Sequence, residues 1–113
     1  MFRWAAYESG RFPALRLMYH VPNEGRRSAV TGARMREEGL RRGVPDICLP
    51  VARGGFHALY IELKRTKSSK VSDEQRAWIA ALTAEGNRAV ICYGFDEARR
   101  EIVNYLHMQR EST

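Results

Sequence analysis

Gly43-Val44-Pro45-Asp46-Ile47-Cys48-Leu49-Pro50-Val51-Ala52-Arg53-Gly54-Gly55-Phe56-His57-Ala58-Leu59-Tyr60-Ile61-Glu62-Leu63-Lys64 is the stretch on which the reading of this chain turns. Two apolar runs flank a glycine pair, the pattern of two antiparallel strands joined by a tight turn. The strands are predicted over Asp46–Val51 and His57–Lys64. With Arg53, Gly54 and Gly55 as the loop and Ala52 opposite Phe56, Ile47 faces Ile61, Leu49 faces Leu59 and Val51 faces His57. That face is nearly all apolar and belongs against a core. The same register sets Asp46 directly across from Glu62 on the other face, and alternation puts Lys64 beside Glu62.

Directly opposed residues have Cβ atoms roughly 5 Å apart, and two carboxylates so placed repel each other. A cation between them removes the conflict, and a hard ion such as Mg²⁺ prefers carboxylate and water oxygens. Lys64 could then hold a water or a phosphate oxygen nearby. The residues alone leave a plainer alternative open, in which Glu62 and Lys64 are solvated strand residues. A one-residue slip would also turn Asp46 to the wrong face.

Outward from the hairpin, residues 2–8 have the pattern of a short helix stopped by Ser9, Gly10 and Pro13. Leu15–Val21 is predicted as a strand, Pro22-Asn23-Glu24-Gly25 as a turn, and Ser28–Leu40 as a helix. Arg65–Lys70 is a mobile polar loop. Ser72 is placed to cap the next helix, with Asp73 and Glu74 in its first turn and Gln75 three residues on, the signature of a capping box. Trp78, Ile79 and Leu82 give that helix an apolar stripe, and Gly86 ends it. Ala89–Tyr93 is a short strand. Asp96 caps a last helix with Ala98, Ile102, Tyr105 and Leu106 facing inward. The order α-β-α-β-β-α-β-α predicts an α/β fold, a mixed sheet with helices on its faces.

The 113 residues make one domain, 1–113, and 44% hydrophobic residues can supply its core. No apolar run is long enough to span a bilayer, and no secretory leader is evident, so no membrane partner and a cytoplasmic location are expected. Cys48 and Cys92 form no metal-binding pair and suit buried reduced thiols. His20, His57 and His107 show no zinc spacing. A net charge of +6 suits a polyanionic partner without requiring one.

Three motifs stand in order: Gly43-Val44-Pro45-Asp46, then Ile61-Glu62-Leu63-Lys64, then Ser72-Asp73-Glu74-Gln75 followed by Trp78 and Leu82. Together they resemble the virus-type replication-repair nuclease (VRR-NUC) family of the PD-(D/E)xK nuclease superfamily, whose pattern is GxPD, ExK and SxxQ. Val21-Pro22-Asn23-Glu24-Gly25-Arg26 and Glu38-Gly39 also look like family segments, and the resemblance runs from about Arg16 to Leu106. One departure stands out. The family carries an acidic residue on its first helix, and the only acidic residue before the Pro-Asn turn here is Glu8, close to the helix end.

The resemblance implies a restriction-endonuclease-like mixed β-sheet flanked by α-helices. It implies a metal-dependent, structure-selective DNA endonuclease, with four-way (Holliday) junctions as a candidate substrate. Asp46, Glu62 and the Leu63 carbonyl would bind Mg²⁺ or Mn²⁺. Lys64 would act on the attacking water, and Gln75 would complete the site. Gln75 is equally a capping residue by the residues themselves. The basic residues Arg26, Arg27, Arg34, Arg36, Arg41 and Arg42, with Arg65, Lys67 and Lys70, bracket these positions and would contact phosphate, as could Asn23. The standalone members it resembles come typically from bacteriophages and form symmetric dimers. That implies a homodimer acting in the cytoplasm of a bacterial host, with Phe2, Trp4, Tyr7 and Phe12 as one candidate interface. A DNA-binding module that has kept the fold without cleavage is the alternative.

Overall fold

The computed structural model describes residues 1–22, 39 and 41–110. The expected Ser28–Leu40 helix apart from Gly39, the tip of the Pro-Asn turn, and Asn23, Arg26, Arg27, Arg34 and Arg36 lie outside them. Among the described residues four strands form one sheet in the order β1-β2-β3-β4. They are β1 (Tyr19–His20), β2 (Ile47–Leu49), β3 (Leu59–Lys64) and β4 (Arg88–Tyr93). The first three run antiparallel, and β4 runs parallel to β3. The sheet is therefore mixed, with helix α2 (Asp73–Ala84) as the crossover between its parallel strands.

The hairpin register is as expected through β2 and β3: Ile47 pairs with Ile61, Cys48 with Tyr60 and Leu49 with Leu59. Its tip differs. Arg53, not Ala52, bridges to Phe56, and Gly54-Gly55 alone make the loop. Both glycines have positive φ, 59° and 86°, as a two-residue hairpin turn of the primed kind demands. The tip is thus offset by one residue from the ladder, and the expected pairing of Val51 with His57 is absent. Pro50, which has no N–H to give, ends β2 at Leu49. His57 donates its N–H to Gly86 O at 3.0 Å instead, and Tyr105 Oη donates to Val51 O at 2.7 Å.

Ile47, Leu49, Leu59 and Ile61 meet Ala98, Ile102 and Tyr105 of helix α3 (Phe95–His107) in the core. Burying each large aliphatic side chain contributes roughly 1.5–3 kcal/mol, so this layer anchors the hairpin. Helix α1 (Phe2–Glu8) adds Ala5 to that core, and Trp4 and Phe12 pack on its margin. Of the four N-terminal aromatics, then, Trp4 and Phe12 help cover the core, whereas Phe2 and Tyr7 are exposed. The strand expected over Leu15–Val21 is a 3₁₀ helix, Pro13–Leu17, followed by the two residues of β1. Pro13 opens that helix, where its missing N–H costs nothing. Helix α3 starts two residues earlier than expected. Gly94 is its N-cap, and Asp96 sits in the first turn without capping it. Cys48 and Cys92 are buried free thiols. No helix of the described residues is long and apolar enough to cross a membrane.

Candidate active site

The unusual charge density lies on the sheet face opposite α3. Glu62 is held there by its neighbours Ile61 and Leu63, which alternate into the core side, and it is only 3% exposed. Asp46 sits one residue before β2, and its Oδ2 accepts the Leu63 N–H at 2.9 Å. Its own carbonyl takes the Val21 N–H at 2.7 Å, which fixes the entry to the strand. Peptide N–H and C=O of one strand residue point to the same side, so the Leu63 carbonyl is directed toward the Asp46 edge as well.

Gln75 joins the pieces. Its Nε2 donates to Glu62 Oε2 at 3.1 Å, while its Oε1 accepts from Lys64 Nζ at 2.8 Å. The same Oε1 accepts the Ser72 N–H at 2.9 Å, and the Gln75 N–H returns to Ser72 Oγ at 3.1 Å. The capping box and the site contact therefore coexist in one side chain. Lys64 Nζ stands 3.7 Å from Glu62 Oε2, completing a triangle of Glu62, Lys64 and Gln75.

One atom is left over. Glu62 Oε1 is buried and has no hydrogen-bond partner among the described residues. Burial, and then the neighbouring Asp46 carboxylate, push the Glu62 carboxyl up to about 8 against a partial offset from Lys64. The metal-free site favours a proton there, and the geometry is one in which positive charge is lacking.

Asp46 and Glu62 open into a cavity of about 360 Å³, which Arg41, Arg42, Glu74 and Gln75 also line. Gly43 forms part of its wall. Gly43 takes φ +87°, and its backbone rests on the first turn of α2. The GxPD and SxxQ segments, far apart in sequence, thus touch at this glycine.

The sequence-derived candidates divide clearly. Asp46, Glu62, Lys64 and Gln75 come together, and Arg42 lines their cavity with Arg41. Arg65 is exposed beyond the end of β3 and borders a different concavity. Lys67 is exposed in a turn held by Ser69 N donating to Thr66 O at 2.9 Å. Glu74 was legible only as a first-turn acid, yet it faces the cavity. Its place on the same helical turn as Gln75 was the available signal. Glu8 does not supply the missing acid: it lines a cleft with Arg11, Arg99 and Arg100. No group of three or more His, Cys, Asp or Glu placed to hold a metal is found among the described residues.

Comparison with known proteins bears on the fold and the family. A solved structure described as a VRR_NUC domain protein is 28% identical, with a TM-score of 0.76 over 86% of this chain and 73% of that chain. No curated protein matches. The family model for the VRR-NUC domain matches residues 8–96, and by that match the chain belongs to the VRR-NUC nuclease-domain family.

Proposed function

We propose that this protein is a metal-dependent DNA endonuclease working at the Asp46–Glu62 cavity. The observation that carries the reading is the buried, unpartnered Glu62 Oε1 beside a second carboxylate. A buried acceptor without a donor needs an explanation, and a hard divalent cation is one. The donor set fits: two carboxylates and the Leu63 carbonyl, all oxygens, suit Mg²⁺ or Mn²⁺. A bound ion would polarise the scissile phosphate and lower the pKa of a water.

The chain's own residues have separate tasks. Gln75 accepts from Lys64 Nζ and donates to one oxygen of Glu62, which fixes both side chains beside the cavity. Lys64 then presents its charge where negative charge develops in phosphodiester hydrolysis. Arg41 and Arg42 line the cavity wall, and phosphate contact is the role this reading gives them. Selectivity for branched DNA, four-way junctions included, and action as a homodimer rest on the family resemblance.

The test is cleavage of labelled four-way junction, flap, single-strand and duplex DNA with Mg²⁺, Mn²⁺ or EDTA. Asp46→Ala and Glu62→Ala should abolish cleavage and leave the fold intact. Wild-type rates from Glu62→Ala would remove the site assignment. Tight DNA binding by the wild type without cleavage in either metal would favour the non-catalytic DNA-binding module.

A further inference from the structure

Away from the Asp46–Glu62 cavity, aromatic side chains lie open between arginines. On α1, Tyr7 is 87% exposed, and on α3 Phe95 is 42% exposed. The Trp4 ring meets Phe95 edge-on, with centroids 6.3 Å apart. Arg3, Trp4, Tyr7 and Phe95 border one shallow concavity of about 540 Å³. Phe95 also borders a second, together with Lys64 and Arg65 at the end of β3. Trp4 borders a third, where Arg11, Arg99 and Arg100 face Glu8. The three share residues, so they form one path that begins at Lys64.

Its chemistry is specific. The path offers flat apolar rings, and arginines outnumber the two acids along it, Glu8 and Asp96, the latter 3.7 Å from Arg99. Flat rings flanked by positive charge suit a chain with a phosphate backbone and exposed base faces. Duplex DNA hides those faces within its stack, so the match is to unpaired nucleotides. A second copy of this chain fits less well, because a two-fold contact would bring the same arginines together.

We propose that the Tyr7–Trp4–Phe95 surface is a track for an unpaired DNA strand leaving the cleavage site. The substrate is then branched DNA with a single-stranded segment at the branch. The placement of this track beside a cleavage site rests on the nuclease reading above; its affinity for unpaired DNA does not.

The experiment is a binding titration in EDTA with one duplex, bare or carrying a short single-stranded flap. Wild-type protein should bind the flapped form more tightly. Tyr7→Ala, at an open surface position, and Phe95→Ala should each reduce that advantage by about tenfold, within the range for losing one base stack, and leave duplex affinity unchanged. In a Trp78→Phe background Trp4 is the one indole left, and the flap should quench its emission where the duplex does not. Equal wild-type affinity for both DNAs, or equal losses on both in Tyr7→Ala, overturns the proposal. So does a Tyr7→Ala variant that turns a dimer into a monomer with no flap-specific loss, which assigns the surface to a second copy. Cleavage of the same DNAs in Mg²⁺ by wild type and Asp46→Ala judges the nuclease reading separately. A flap preference without cleavage sinks only that reading, and cleavage without the preference sinks only the track.

Discussion

Gly43 lies against Glu74 so closely that a Cβ on the glycine would stand 2.5 Å from the Glu74 carbonyl carbon. It would also stand 2.8 Å from the Gln75 amide nitrogen, at a φ of +87° that side chains rarely adopt. This contact sets the distance between the segment entering Asp46 and the helix that carries Gln75. Only backbone meets backbone here, so no side chain can move aside.

Gly43→Ala should therefore destabilise the protein by about 1–3 kcal/mol or more and lower cleavage as well, because the two halves of the site must part. Denaturant melts of the variant measure the first effect and steady-state cleavage the second. Wild-type values for both would show that the loop and the helix are not coupled through this contact.

Gln75 separates two roles by substitution. Gln75→Ala removes the cap partner of the Ser72 N–H and both links to Lys64 and Glu62, so it should cost about 1–2 kcal/mol of stability and slow cleavage. Gln75→Glu keeps an acceptor for Ser72 and Lys64 but turns the donor toward Glu62 into a third carboxylate. Without metal it should be less stable than wild type, and added Mg²⁺ should raise its melting temperature by more than it does for wild type. A Gln75→Glu variant with wild-type stability in EDTA would mean that its side chain does not face Glu62.

The pH dependence of the metal-free protein follows from Glu62. Its carboxyl is raised from 4.5 to about 8, so between those values the folded state holds a proton that the unfolded state has released. The Glu62 contribution to stability is complete below pH 4.5 and is lost as pH rises to about 8. Across that window it amounts to a few kcal/mol at most. Glu62→Gln should remove this part of the slope and make the apo protein more stable at neutral pH. Urea melts in EDTA at several pH values test it, and a wild-type slope in the variant would refute the assignment.

The parts of this architecture that were legible in the sequence are local or periodic. Ile47, Leu49, Leu59 and Ile61 alternate, and one register puts all four inside, which also set Glu62 near Asp46. The Ser72–Gln75 box was readable because its partners lie within one turn. Pro13–Leu17 was not, since two leucines over five residues suit a strand and a 3₁₀ helix alike. The strand expected through Pro50 to Val51 ends at Leu49, and the three-residue loop is a two-glycine turn, because neither the break at Pro50 nor the turn length follows from alternation alone. The two roles of Gln75 looked like competitors because spacing does not reveal that one amide can serve both with different atoms. The Gly43–Glu74 contact joins segments separated by a hairpin and a loop, and no spacing rule reaches that far.

Assembly and cutting pattern should agree with each other. A two-fold dimer would hold two Asp46–Glu62 pairs at a fixed separation, each able to act on one of two symmetry-related strands of a four-way junction. Light scattering should then give about twice 13.0 kDa, and junction cleavage should yield paired, symmetric nicks. A monomer has one site and no reason to pair its cuts, so it should nick flaps or forks once. Mixing wild type with an Asp46→Ala partner distinguishes the cases. In a stable dimer the mixed species cuts one strand and leaves the symmetry-related strand whole, so single nicks accumulate in proportion to the mixing ratio. Unchanged paired cutting at every ratio would show that the two sites do not act within one fixed assembly. A monomeric mass with paired cuts that still give way to single nicks would assign the dimer to the DNA-bound state.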